Sequence, residues 1–112
     1  MIFRKLNIIG GSQRHALNIA LKLQAMGHDI TLYAIQRGNG GFMDIIKKFP
    51  VVSLESFHAP VYDAGHAWGK LFCLLANLCN EQKDAYQLAL RIDPKTDILN
   101  PHHDPVAYKT AY

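Results

Sequence analysis

The chain has 112 residues, of which 49% are hydrophobic and 19% are charged, and its formal net charge is +3. A chain of this length can form one modest domain with a core. Its Lys and Arg residues are dispersed, so no block of positive charge indicates a nucleic-acid-binding arm. No apolar run approaches the roughly 18 residues of a membrane span, and the N-terminus lacks the basic-then-apolar order of a signal peptide. These features predict a cytoplasmic protein and leave a weak attraction to anionic ligands or membrane surfaces open.

The first 35 residues predict a βαβ unit. Residues 2–9, IFRKLNII, supply a short first strand. An amphipathic helix then begins with Ser12 as its N-cap and ends at Gly27, with an apolar face formed by Ala16, Ile19, Ala20, Leu23 and Met26. Residues 30–35, ITLYAI, are β-branched, aromatic and nearly all apolar, which is typical of a strand covered on both faces.

The middle of the chain alternates loops with short elements. RGNGG at 37–41 is a glycine-rich loop that we expect to be mobile, FMDIIKKF is a short helix before Pro50, and VVSL at 51–54 is a third strand. Residues 56–69 lack a period and predict an irregular connection in which Trp68 packs against the core.

The last part of the chain predicts a long helix and a fourth strand. Leucine, alanine and isoleucine recur at helical spacing from Leu71 to Ile92, and the polar residues 80–84 indicate either two helices or one helix with a solvated middle. Cys73 and Cys79 lie on different faces of this segment, so we expect buried thiols and no disulfide. Residues 97–101, DILNP, read as a strand that leads directly into HHDP.

Strands that alternate with helices predict the fold class. Residues 1–112 are expected to form a single α/β domain with a Rossmann-like parallel sheet and flanking helices. Ligands of such sheets bind at the carboxyl ends of the strands. Both GGSQR and HHDP are expected to lie there.

The segment GGSQR predicts an anion site. Gly10 and Gly11 allow a ligand to approach the backbone, and the amides of the first helical turn carry the positive end of the helix dipole. Ser12 lies in the same turn, and Arg14 adds a fork of donors that matches phosphate. A tight turn without a ligand explains the glycines equally well. The segment lacks GxGxxG spacing, so we expect no dinucleotide cofactor.

The segment HHDP offers two imidazoles and a carboxylate. His102 and His103 point to opposite sides of an extended chain and cannot easily bind one ion together, so we expect no metal. His103 and Asp104 remain candidates for acid, base or hydroxyl-binding roles. Asp104 followed by Pro105 is also a common helix start with no role in chemistry.

GGSQRHALNIALKLQAMGHDITLYAI and DPKTDILNPHHDP together resemble the N-terminal domain of family 4-like retaining glycosyltransferases with the GT-B architecture. The resemblance implies transfer of a hexosyl group from a nucleotide-sugar donor to a glycan, lipid or small-molecule acceptor. It implies that Gly10, Gly11 and Arg14 face the donor diphosphate. It also implies that His103 and Asp104 border the acceptor pocket.

The sequence departs from that family in ways that affect activity. Gln13 replaces the usual Glu, and the first strand is short. Since the donor-binding domain of the family lies beyond the length of this chain, we expect a fragment that is inactive alone. A C-terminal domain supplied in trans by a second chain is left open. The alternative is a non-catalytic α/β module that binds an anion or a partner. A metal-binding module that uses His102, His103 and Asp104 is a third option.

Overall fold

The computed structural model describes residues 1–6, 10–38, 40–55 and 67–101. Three strands form a parallel sheet in the order β1-β2-β3: β1 Ile2–Lys5, β2 Leu32–Gln36 and β3 Val51–Ser53. Three helices accompany them: α1 Gly11–Ala25, α2 Met43–Ile46 and α3 Ala67–Ala89. The prediction of a parallel α/β sheet with flanking helices is confirmed.

Strand β2 is the centre of the sheet. It pairs with β1 in the register Phe3 to Ala34 and with β3 in the register Leu32 to Val51. Four of its five residues are buried. This burial confirms the prediction of a covered strand for residues 32–35 of the run ITLYAI, whereas Ile30 and Thr31 precede the strand and are half-buried.

One face of the sheet packs against α1 and α2. Its core consists of Phe3, Leu6, Ala16, Leu17, Ala20, Leu32, Ala34, Ile46 and Phe49. Leu17 is fully buried in this core, whereas Met26, which the helical spacing assigned to the apolar face, is 72% exposed. The assignment of Met26 is wrong because Ala25 is the last residue of the helix, and Met26 lies in the turn that follows.

The other face of the sheet packs against the C-terminal half of α3. Its core consists of Ile2, Tyr33, Ile35, Ala85 and Leu88. The backbone N–H of Asp93 donates a hydrogen bond to the Tyr33 hydroxyl at 3.2 Å, which ties the turn after α3 to the central strand. Arg4 of β1 also forms an ion pair with Glu81 of α3 at 3.4 Å.

Helix α3 is one continuous helix of 23 residues, which is the second of the two alternatives that the sequence left open. Its buried residues are Asp84, Ala85 and Leu88, so the polar stretch expected to be solvated contributes Asp84 to the covered side. Trp68 is 83% exposed, and the expectation that it packs against the core is wrong. The helix reaches the sheet only with its second half.

The two ends of α1 are capped in different ways, and the prediction holds at one of them. At the C-terminus, Gly27 has φ +92 and the N–H of His28 donates to the Leu23 carbonyl at 3.1 Å, as in a Schellman motif. The prediction that Gly27 ends this helix is confirmed. At the N-terminus, Gly10 is the N-cap and not Ser12. Ser12 lies inside the first turn, where its hydroxyl bonds to the Gln13 side chain instead.

The predicted fourth strand is not formed at residues 97–100. Within the described part of this segment, Pro101 alone pairs with the sheet, through a parallel bridge to Ile2. The Ile2 N–H donates to the Asn100 carbonyl at 3.0 Å. Since Ile2 is the first residue of β1, the segment before Pro101 lies at the amino end of the sheet.

The two cysteines are also less buried than expected. Cys73 is half-buried and Cys79 is exposed, and both are free thiols. Within the described ranges, none of the helices combines the length and the hydropathy that a membrane crossing requires.

The N-terminal amine predicts a pH effect in a protein that begins at Met1. It donates a hydrogen bond to the Thr31 carbonyl at 2.7 Å, and burial lowers its pKa from 8.0 to about 6. Because the unfolded amine binds the proton more tightly, we expect the free energy of unfolding to rise with pH between about 6 and 8. An NMR titration of Met1 should give a midpoint near 6 in the folded chain and near 8 in urea. Equal midpoints in both states would contradict this prediction.

Candidate anion site at the carboxyl edge of the sheet

The carboxyl edge of the sheet collects the start of α1 and the residues that follow β2. The strands are parallel, so their carboxyl ends meet at one edge. Gly10 and Gly11 lead into α1, and Arg37 and Gly38 come directly after the last residue of β2. The Leu6 N–H donates to the Gln36 carbonyl at 3.0 Å, which holds the two strand ends together.

Among the described residues, Gly10, the N-cap of α1, has no side-chain cap hydrogen bond. Gly10 is extended, with φ −161 and ψ 143. The first helical hydrogen bond runs from the Arg14 N–H to the Gly10 carbonyl at 3.1 Å, so the preceding amides have no acceptor within the helix. The turn contains no acidic residue. It therefore lies at the positive end of the dipole of a 15-residue helix, with no acidic side chain of its own to offset that charge.

The two glycines differ in how open they are. A Cβ atom on Gly10 would lie 2.5 Å from Oε1 of Gln13, whereas a Cβ atom on Gly11 would have nothing within 4 Å. The Ser12 hydroxyl donates to the same Gln13 oxygen at 2.8 Å. Gln13 therefore covers Gly10, and Gly11 is the position at which a ligand can approach the backbone.

Two arginines belong to segments at the carboxyl edge of the sheet, where α1 begins and β2 ends. Arg14 is exposed in the first turn of α1, and Arg37 is exposed directly after β2. Sequence reasoning treated Arg37 only as the start of a glycine-rich loop. A signal was present, because the residue that follows a buried strand next to β1 must lie at the edge where the glycine turn begins.

The sequence-predicted site residues fall into two groups. Gly10, Gly11, Ser12 and Arg14 belong to the same turn at the carboxyl edge. His103 and Asp104, like His102, lie outside the described residues. The expectation that HHDP joins the glycine turn at this edge stays a prediction, and Pro101, just before it, is paired with the amino-end residue Ile2.

The amino edge of the sheet carries a separate groove of about 730 Å³. Its lining mixes polar and apolar side chains, among them His28, Tyr33, Asp93, Lys95 and Ile98. Among the residues that the structure describes, no group of three or more His, Cys, Asp and Glu side chains is placed to hold a metal ion. The carboxyl edge, where the helix amides and the arginines lie, is the better candidate for a ligand site.

The chain was compared with protein families, with curated proteins and with solved structures. No protein-family model, no curated protein and no solved structure matches the chain.

Proposed function

We propose that the chain binds the diphosphate of a nucleotide-sugar donor at the first turn of α1 and acts as the acceptor-side part of a glycosyltransferase. The observation that carries the proposal is the start of a 15-residue helix at the carboxyl edge of a parallel sheet, with a glycine pair and no acidic residue in its first turn. The open Gly11 and the exposed Arg14 lie in that same turn. The sequence resemblance to GT-B glycosyltransferases supports the choice of a sugar donor over other anions.

The chemistry follows from the charge that develops during glycosyl transfer. As the glycosidic bond to the donor breaks, negative charge grows on the leaving diphosphate. Backbone amides and a helix dipole fixed at that position stabilise the charge without reorganisation. Arg14, and Arg37 from the end of β2, supply charge-assisted hydrogen bonds to the same phosphates. The acceptor would lie near His103 and Asp104. The proposal assigns no turnover to residues 1–112 alone, because in the family that the sequence resembles the nucleotide of the donor is held mainly by a second domain.

A non-catalytic anion-binding module is the second candidate. The same turn of α1 can hold a phosphate without any sugar chemistry. The two candidates differ in their ligand preference. A donor site binds a nucleotide sugar more tightly than bare pyrophosphate. A simple anion site binds pyrophosphate at least as tightly as a nucleotide sugar.

Substitution of Gly11 by Ala provides the direct test. The new methyl group has free space in the unliganded fold, and Ala is better suited than Gly to a helix, so we expect the free energy of unfolding to stay equal or to rise by up to about 1 kcal/mol. The same methyl group lies where the ligand would approach, so we expect about tenfold weaker binding of UDP-glucose, GDP-mannose and pyrophosphate. Isothermal titration calorimetry and thermal unfolding measure the two effects separately.

The matched control is Gly41→Ala, another exposed glycine with nothing within 4 Å of its added Cβ atom. It should leave ligand binding unchanged. Equal affinities of the native chain and Gly11→Ala would contradict the anion site. Tighter binding of pyrophosphate than of either nucleotide sugar would favour the non-catalytic module.

A further inference from the structure

The N-terminal half of α3 exposes a large apolar surface. It consists of Trp68, Leu71, Phe72, Leu74, Leu75 and Leu78, which we call the α3 apolar face. Trp68 and Phe72 are 83% and 74% exposed, and the four leucines are between 46% and 53% exposed. No residue from 67 to 80 is buried. The sheet therefore leaves this face uncovered, since α3 reaches it only from Glu81 onwards.

The size of the face suits a protein interface. An aromatic side chain buries about 150–250 Å² and a leucine somewhat less, so the exposed fractions correspond to about 600 Å² per copy. This is the upper limit of the largest patch on typical monomers. Two copies would bury about 1,200 Å² in total, which is the lower end of the range for specific interfaces.

The distribution of charge favours a second copy in antiparallel orientation. Residues 67–80 contain one charged residue, Lys70, and no acidic residue. In a parallel pair the two Lys70 ammonium groups would lie side by side and repel each other. In an antiparallel pair centred on Leu75 they are ten residues apart along the axis, about 15 Å, which exceeds the screening length of about 8 Å at physiological salt. Antiparallel pairing also places the positive end of each helix dipole beside the negative end of the other, which is favourable.

The same charge pattern disfavours a membrane surface as the occupant. Helices that lie in a membrane interface carry Lys and Arg on their polar face. The polar side chains of this half of α3 are instead neutral apart from Lys70, with Asn77 and Asn80 among them. Electrostatic attraction to anionic lipids would therefore be weak at this face.

We propose that the protein forms a two-fold symmetric dimer through the α3 apolar face, with the two helices antiparallel and Leu75 near the axis. In this arrangement Phe72 of each copy lies opposite Leu78 of the other. The two sheets lie at opposite ends of the helix pair, because each α3 packs on its own sheet only from Glu81 onwards. This interface lies on α3 and is independent of the anion site on α1.

Substitution of Leu75 by Glu tests the dimer. Leu75 is 53% exposed in the single chain, so the substitution should leave the fold intact, yet it brings two carboxylates together in an apolar interface. Sedimentation equilibrium should give a dissociation constant of about 1–100 µM for the native chain and at least about 100-fold weaker association for the variant. Gln87→Glu, an exposed position in the sheet-bound half of α3, places the same charge outside the face and should retain the dimer.

Several results would overturn the proposal. A native chain that stays monomeric up to about 300 µM would exclude the dimer. So would association that is equally strong in Leu75→Glu. A monomer that binds vesicles containing phosphatidylserine, with Leu75→Glu abolishing that binding, would show that lipid covers the face. Circular dichroism of both variants shows whether a loss of association is caused by a loss of fold. Pyrophosphate binding is measured in the same variants, and it should be unchanged even where the dimer is lost.

The orientation has its own test in the exposed thiol of Cys79. Leu71 of one copy lies opposite Cys79 of the other when the pair is antiparallel and centred on Leu75. Leu71→Cys should therefore form an intermolecular disulfide with Cys79 under mild oxidation, and the native chain should not cross-link. A disulfide between two Cys79 residues in the native protein would contradict the antiparallel arrangement, as would a dimeric Leu71→Cys variant that fails to cross-link.

Discussion

Replacement of Arg14 by Ala should weaken the binding of pyrophosphate and of nucleotide sugars by about tenfold. A hydrogen bond to a charged group contributes about 1.5–3 kcal/mol, and the lower part of this range applies because Arg14 is exposed. A loss of about 1.4 kcal/mol corresponds to a factor of ten in the dissociation constant. Calorimetric titrations of both proteins at one fixed ionic strength measure the difference.

The matched control for Arg14→Ala is Lys22→Ala. Both residues are exposed on α1 and both substitutions remove one positive charge, but Lys22 lies in the last turn, at the opposite end of the helix. Lys22→Ala should leave the affinity within about twofold, because surface charges separated by more than about 8 Å are largely screened at physiological salt. Equal losses in the two variants would mean that the anion responds only to net charge and that the first turn of α1 is not its site.

Replacement of Leu88 by Ala should lower the free energy of unfolding by about 2–4 kcal/mol. Leu88 is fully buried and packs with Ile2, Tyr33 and Ile35 on the sheet face that α3 covers. The substitution removes this contact and leaves a cavity between the helix and the central strand. For a chain of this size the midpoint of thermal unfolding should fall by roughly 10–20 °C, as measured by circular dichroism or calorimetry.

Leu90→Ala gives the comparison within the same part of the chain. Leu90 is 68% exposed, only two residues after Leu88, and the chemical change is identical. Leu90→Ala should change the free energy of unfolding by no more than about 0.5 kcal/mol. If the two variants unfolded at the same midpoint, α3 would not pack on the sheet through the side that contains Leu88.

The parts of the fold that follow from local pattern were predicted well. The period-3.6 segment from residue 12 is α1, the apolar run before Arg37 is the buried strand β2, and Gly27 ends α1 in a left-handed conformation. The glycine pair between β1 and α1 is also visible in the sequence itself, and its role with Arg14 as an anion site stays a prediction. Arg37 was missed because its relevance depends on which strand lies next to β1.

The parts that depend on packing were predicted poorly. Periodicity along α3 shows that its leucines share a side, but it does not show where the sheet ends. The structure places Asp84, Ala85 and Leu88 against the sheet and leaves Leu71 and Leu75 exposed. The segment DILNP has the composition of a strand, yet only Pro101 pairs with the sheet.

The sequence by itself determined the order of helices and strands up to α3, the parallel α/β class and the glycine pair at the start of α1, because hydrophobic period and glycine position act over a few residues. Only the tertiary structure decided which half of α3 is covered, which glycine of the pair is open and which arginines lie at the carboxyl edge. These properties depend on the distance between segments that are far apart in the chain, and local pattern does not encode that distance.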